Sequence, residues 1–335
     1  MANKKGAARE VFWGSCTRGQ LLSGVQLQPR DRRLLEALCS CEVLTTQEAR
    51  RLMYGEEDER GRWYVYRRLK KLERAGLLRR VGQRICVTQR TLDLFGYDAT
   101  AYHVLDKEKR CVGEIYIAAV QSGWEWLPAR QAKKEYNFNR GDAFAGLIRG
   151  RGAYLLYVLP RSPRKSYVQR VRSEARRCAL LGFDGAVVFC PTPDSMSAFG
   201  SEPEFSVRRL MVLPLPFGLE VLGRFREGFD SIYRAALVGC RFLPSNRTFA
   251  DHVVRQGEKE YYLCELFTND LNVRCVLAEQ SRRIEEVEGR GFIVFCFQSQ
   301  LRLLDSLSLG CGTQVCVVSE DWGRVDRLSL EELKT

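Results

Sequence analysis

Four residues, Arg60, Tyr64, Arg67 and Lys71, recur at i, i+4, i+7 and i+11, a spacing that puts side chains on one face of a helix. Arginine can reach guanine edges in a major groove, while lysine and tyrosine can hold phosphates. The surrounding residues support that chemistry. Between Arg60 and Arg84 the chain carries ten lysines or arginines and one acid, Glu73. Arg62, Arg68, Arg79, Arg80 and Arg84 belong to this run, and Thr46 and Gln47 open a helix just before it. A second basic cluster, Arg149-Gly150-Arg151-Gly152, offers Arg149 and Arg151 to a DNA backbone. The whole chain has 53 Lys and Arg against 41 acids, a net charge of +12, which draws polyanions.

Asp142, Asp251 and Glu265 suggest a second chemistry. Each stands beside an apolar stretch, and carboxylates so placed can hold Mg²⁺ at a phosphodiester. They are sparse for that task, because hard cations need several oxygen ligands. They are weak catalytic candidates. The 13 cysteines include no CxxC pair, and His103 and His252 are the only histidines. A zinc site is therefore not expected, and the cysteines read as reduced, buried thiols. The phosphate loop GxxxxGK[ST] and the nucleophile elbow GxSxG are both missing. The chain also lacks a run of about 18 apolar residues that could span a bilayer. Its start, Met1-Ala2-Asn3-Lys4-Lys5-Gly6, lacks the apolar centre of a signal peptide. The expectation is a cytoplasmic protein with no membrane partner, no metal and no cofactor.

The elements that position the basic run are legible. Leu34, Leu35 and Leu38 stripe a first helix that begins near Arg30 and breaks at Ser40-Cys41. Thr45 can cap a second helix, Thr46–Tyr54, with Glu48 returning the bond. A third helix, from about Asp58 to Ala75, turns Val65, Leu69 and Leu72 inward and stops at Gly76. Leu77–Val81 and Arg84–Thr88 then read as strands joined by Gly82-Gln83. Three helices and a two-stranded hairpin make a winged helix-turn-helix.

Downstream, short apolar strands alternate with charged helices, which argues for α/β layers. Val112–Val120, Phe144–Ile148, Tyr154–Leu159, Ala186–Cys190 and Leu210–Leu213 read as strands. Arg164–Leu181 reads as a helix with Val168, Val171, Ala175 and Cys178 inward. A repeat is visible. Tyr154–Leu159 leads through a helix to Gly185–Cys190, and Tyr261–Leu266 leads through a helix to Gly291–Cys296. Further strands, Leu210–Leu213 and Gln314–Val318, follow each pair. Two such modules could pack face to face as an internal pseudo-dimer.

An acid, a strand bearing Glu-x-Lys, a helix and a strand form the layout of restriction-endonuclease-like proteins. Here Tyr157-Val158-Leu159-Pro160 stands where the first module needs its acid and lysine, and Glu265-Leu266-Phe267 lacks the lysine of the second. The fold class expected is thus α+β and multidomain. Residues 1–25 form a tail, 26–95 a winged helix-turn-helix, 100–214 a nuclease-like α/β module and 215–335 a second, related module.

The chain resembles the replication-relaxation family, which includes mobilisation accessory proteins of the MobC type. The matching stretches are Asp31-Arg32-Arg33-Leu34-Leu35-Glu36-Ala37-Leu38, Thr46-Gln47-Glu48-Ala49, the run Arg67–Leu78, and Gly141-Asp142-Ala143, within roughly residues 28–200. The resemblance implies a winged helix fused to a restriction-endonuclease-like domain, acting at an origin of transfer or replication beside a relaxase. The expected function is a double-stranded DNA-binding accessory protein that recognises an origin of transfer and assists a relaxase, without catalysis. The modules also offer a surface for a homodimer. Two alternatives stay open: a metal-dependent PD-(D/E)xK-type nuclease using Asp142, Asp251 and Glu265, and a transcription regulator whose α/β part senses a ligand.

Overall fold

The computed structural model describes residues 21–22, 24–55, 61–97, 112–305, 307 and 309–329. The chain divides into two compact units between Ile117 and Ala118, and it mixes helices with several sheets.

In the first unit, β1 (Leu21–Leu22) and β2 (Val25–Gln26) pair antiparallel, with Gly24 turning between them at φ +77°. A small hairpin thus replaces the end of the expected tail. Helix α1 (Pro29–Cys41) opens with proline, whose missing N–H costs nothing in a first turn. The Gln28 backbone N–H donates to Asp31 Oδ2 at 2.7 Å. Leu34, Leu35 and Leu38 are fully buried, and the helix continues through the expected break at Ser40-Cys41. After β3 (Val43–Thr45), helix α2 (Thr46–Tyr54) starts on a capping box. Thr45 Oγ1 accepts from the Glu48 N–H at 3.1 Å, and Glu48 accepts from the Thr45 N–H at 2.5 Å.

Helix α3 (Gly61–Arg74) buries Val65, Leu69 and Leu72, as its spacing requires. Gly76 ends it at φ +71°, and the Leu77 N–H reaches back to Leu72 O. Strands β4 (Leu78–Val81) and β5 (Arg84–Val87) form the expected hairpin, turning through Gly82 at φ +62°. β3 pairs with the other edge of β5, so the sheet has three strands in the order β3-β5-β4 rather than two. Helix α4 (Gln89–Leu94), capped by Thr88, closes the segment.

Val112–Val120 is a correction. The pattern predicts a strand, and the structure has helix α5 (Val112–Gln121). Val112, Ile115, Ile117 and Ala119 are all buried. A helix covered on several sides carries no clean polar period, so its apolar run reads like a strand.

The second unit holds two sheets. The first contains β6 (Glu125–Pro128), β7 (Gly146–Arg149), β8 (Ala153–Val158), β9 (Gly185–Cys190) and β10 (Arg209–Pro214). The second contains β11 (Arg241–Pro244), β12 (His252–Gln256), β13 (Lys259–Glu265), β14 (Gly291–Phe297), β15 (Gln314–Val318) and β16 (Val325–Ser329). Each sheet begins with an antiparallel meander, β6-β7-β8 or β11-β12-β13, and continues with parallel strands, β9-β10 or β14-β15. The two sheets share register as well as order. Tyr154 pairs with Gly185, and Tyr261 pairs with Gly291. Neither glycine has room for a Cβ, which would sit 1.9 Å from Arg209 O in one case and 2.4 Å from Gly312 O in the other.

Helices cover both sheets: α6 (Ala129–Glu135), α7 (Lys165–Leu180), α8 (Pro193–Phe199), α9 (Gly218–Glu227), α10 (Asp230–Ala236), α11 (Leu271–Glu279), α12 (Ser281–Glu288) and α13 (Leu301–Asp305). α7 turns Val168, Val171, Ala175 and Cys178 inward, as its spacing predicts. Each sheet has its own apolar core, and Leu271 of α11 joins the core of the first.

The two sheets meet through an edge, not face to face. The backbone of β10 bonds residues 269–270, with the Leu210 N–H on Asp270 Oδ1 at 3.2 Å and Asn269 Nδ2 on Val212 O at 2.9 Å. Asn272 extends the seam, accepting from the Glu204 N–H and donating to Glu204 O and Val207 O. The edge of β10 is thereby covered. The cysteines among the described residues are free thiols, mostly buried, and burial pushes Cys178 and Cys190 up to about 12. Among the described residues no helix is long and apolar enough to cross a membrane.

Arg68 on α3 grips Asp31 on α1 with two guanidinium nitrogens, and the Asp31 side chain is fully buried. Replacing Arg68 by Met leaves that carboxylate without its partner. The first unit is expected to lose about 3–5 kcal/mol in urea unfolding, the usual cost of stripping one member from a buried ion pair. A loss below about 1 kcal/mol, the size of a surface pair, would show that the pair does not hold the helices together.

Candidate nucleic-acid interface and carboxylate clusters

The buried stripe of α3 fixes which residues face solvent. Trp63, Arg67, Lys70 and Arg74 form the centre of the outer face, at i, i+4, i+7 and i+11 from Trp63, and all are exposed. Tyr64 and Lys71 flank that line on one side, and Tyr66 on the other. Trp63, Tyr64 and Tyr66 are 61%, 59% and 53% exposed. Arg67 lies over the Trp63 ring at 4.4 Å, and Arg80 lies over Tyr66 at 4.7 Å. Among the described residues Lys70, Lys71, Arg74, Arg79 and Arg84 make no ion pair. Lys71 and Arg74 line a cleft of about 390 Å³ together with Arg68, Gly24, Val25, Gln26 and Gln28.

The other sequence-predicted residues divide between available and engaged. Gln47 is exposed at the start of α2. Thr46 donates its hydroxyl to Gln83 O at 3.1 Å, tying α2 to the turn of the hairpin. Arg68 is engaged with Asp31 and Gln26 O, and the hydrogen bond to Asp31 raises its pKa above the ordinary arginine value. Arg80 donates from Nε to Glu73 at 2.8 Å, and its own backbone N–H reaches the same carboxylate at 3.0 Å. Both arginines brace the fold through these bonds. Arg60 and the Arg62 side chain lie outside the described residues.

In the second unit, Arg149 is also engaged, with Glu135 at 3.0 Å, Glu125 at 3.5 Å and the Tyr136 hydroxyl. The hairpin turn expected here is present between β7 and β8. Arg151 is exposed at the β7–β8 turn, with its guanidinium over Phe225 at 5.4 Å.

The three acids fall into separate clusters. Asp142 accepts from Arg177 at 2.6 Å and from the Asn139 N–H at 3.0 Å. Its neighbour Glu174 accepts from the Ala143 N–H and from Arg170. Asp142 shares no partner with the other two candidates.

Asp251 and Glu265 do come together, and a guanidinium stands between them. Arg209, at the start of β10, donates from one terminal nitrogen to Asp251 at 2.7 Å and from the other to Glu265 at 2.7 Å. Asp270 lies 3.8 Å from the same guanidinium. The Tyr233 hydroxyl donates to Asp251 at 2.9 Å, and Thr268 donates its hydroxyl at 2.7 Å and its N–H at 3.0 Å to Glu265. Arg209, Tyr233, Glu265, Thr268 and Asp270 are buried, and the Asp251 side chain is 8% exposed. Burial alone would lower the Arg209 pKa, but Asp251, Glu265 and Asp270 together push it above the ordinary value. Burial pushes the Glu265 and Asp270 carboxyls up, with Arg209 opposing.

In this arrangement both oxygens of Asp251 and both of Glu265 accept hydrogen bonds, while Asp270 Oδ2 has no hydrogen-bond partner among the described residues. Among the described residues no group of three or more His, Cys, Asp or Glu is arranged to hold a metal ion. Arg209 escaped the sequence reading, although a charge leading the apolar strand Leu210–Leu213 was a signal. So were Trp63, Lys70 and Arg74, because the face drawn from Arg60 sat to one side of the true outward line. No family model, curated protein or solved structure matches the chain.

Arg209→Met should destabilise the second unit by about 3–5 kcal/mol at neutral pH, because buried carboxylates lose their counter-charge. The raised pKa values of Glu265 and Asp270 set the sign of the pH dependence. Their stabilising contribution is complete below the ordinary values of 4.5 and 3.8 and is lost as pH rises through the raised ones. The deficit of the variant should therefore shrink on acidification towards pH 4.5. Urea unfolding across that range checks it, and a variant as stable as the parent at neutral pH would contradict it.

Proposed function

We propose that the chain is a DNA-binding accessory protein. The first unit acts as a winged helix-turn-helix, with α3 laid against the duplex and the β4–β5 hairpin as its wing. The observation that carries the reading is the outer face of α3. Arg67, Lys70, Lys71 and Arg74 are exposed there, and among the described residues of the helix the one acid, Glu73, is taken up by Arg80. Such a face attracts phosphates. Arg79 on the hairpin and Gln47 on α2 extend it.

We read the second unit as two nuclease-like modules without catalysis. The shared strand order, with a meander leading into parallel strands, supports the relation between them. The Arg209 guanidinium between Asp251 and Glu265 supports the absence of a metal centre, because a fixed cation already satisfies those oxygens. The resemblance to the replication-relaxation family suggests the setting: an origin of transfer, with a relaxase as partner.

Duplex binding should weaken by about 1–3 kcal/mol in Arg67→Ala or Lys71→Ala where the residue reads a base. A residue that holds only a phosphate should instead flatten the salt dependence by about one unit of slope. Titrations of labelled duplex at several salt concentrations measure both, and unchanged affinity in both variants would remove α3 from the interface. With Mg²⁺ and supercoiled DNA the protein should leave the DNA uncut. Cleavage that disappears in Asp251→Ala or Glu265→Ala would establish a nuclease instead. Sequencing the fragments retained by the protein distinguishes an origin from a promoter.

A further inference from the structure

The outer face of α3 carries more than charge. Trp63, Tyr64 and Tyr66 are each more than half exposed within a single turn of helix. Burying one large apolar side chain gains about 1.5–3 kcal/mol. Three left open together therefore mark a surface that awaits a partner. Their geometry narrows the choice. Trp63 and Tyr64 meet edge to face, with centroids 5.9 Å apart and planes at 78°, so the two rings are not stacked on each other. Arg67 backs one face of the Trp63 indole, and the residue stays 61% exposed, so ring surface is open to a second flat group. Arg80, anchored by Glu73, steadies Tyr66 in the same way.

Reading an intact major groove calls for hydrogen-bonding groups aimed at base edges. An indole at the centre of the helix face serves that purpose poorly, since its single N–H is a donor only. Flat rings interleaved with cations suit bases that have left the stack. Base-on-ring stacking contributes about 1–3 kcal/mol per base, while the cations hold the backbone. Among the described residues of α3, Arg67, Lys70, Lys71 and Arg74 surround the rings and the one acid, Glu73, is taken up by Arg80, so the face fits an anionic partner.

We propose that α3 binds DNA with unpaired bases, which stack on Trp63, Tyr64 and Tyr66 while Arg67, Lys70, Lys71 and Arg74 hold the phosphates. This rests on the reading of α3 as a DNA-binding helix. The protein would engage duplex through the cations and hold it more tightly where it has opened.

The test compares three labelled oligonucleotides of equal length by fluorescence anisotropy with the full chain: a duplex, a duplex with a central unpaired bubble, and a single strand. The bubble should bind about tenfold more tightly than the duplex, as one stacked base at the low end of its range would give. Trp63→Ala combined with Tyr64→Ala should abolish that preference, bringing bubble affinity down to the duplex affinity of the same variant. Trp63→Phe, which keeps a ring, should retain most of it. All three residues are exposed, and circular dichroism checks that the variants are folded. Equal affinity for bubble and duplex, or a preference that survives the double substitution, overturns the inference while leaving duplex binding intact. Failure to bind any of the three overturns the DNA reading as well and assigns the face to a protein partner.

Discussion

The second unit depends on one buried cation. Arg209 sits at the edge of one sheet and bonds Asp251 and Glu265 of the other, with Asp270 close by. Three carboxylates face one largely buried guanidinium, so removing the cation leaves their charges without a counter-charge. Hydrogen bonds from Tyr233 and Thr268 fix the carboxylates from behind. The seam along Leu210, Val212, Asn269 and Asn272 then closes the edge of β10. The same contact that joins the sheets takes up the oxygens that would otherwise be open to a metal. The ion pairs that Asp251 and Glu265 make are thus also contacts that join the sheets.

The first unit uses its arginines differently. Arg68 and Arg80 are consumed by Asp31 and Glu73. Those pairs fasten α3 to α1 and to the hairpin, so the helix stands rigid with its remaining cations facing outward. Rigid presentation matters for binding, since less conformational freedom is lost when a partner is held. The aromatic side chains add directional contact to what would otherwise be a diffuse positive face.

Much of this was legible in the sequence, for identifiable reasons. The capping box at Thr45 and Glu48, the stop at Gly76 and the turn at Gly82 are local chemistry, and local chemistry survives folding. The paired strand–helix–strand repeats appeared because buried parallel strands are continuous apolar runs, and their shared tyrosine–glycine pairing follows from tight backbone approach. The errors came from tertiary context. Val112–Gln121 lost its helical period because it is buried on several sides. The roles of Arg68, Arg80 and Arg149 depend on acids 37, 7 and 14 residues away, which composition alone cannot assign. The meeting of Asp251 with Glu265 was within reach of the sequence, but the cation between them comes from a strand 42 residues from the nearer acid.

The most direct measurement is hydrogen–deuterium exchange across the full chain, free and bound to DNA, with Mg²⁺ present throughout. Slowed exchange over residues 61–87, with the 251–270 segment unchanged, is the result expected if α3 and its hairpin hold the DNA and the carboxylate cluster is closed around Arg209. Protection confined to 251–270, with α3 exchanging as in the free protein, would contradict that division of labour and put the DNA at the carboxylates.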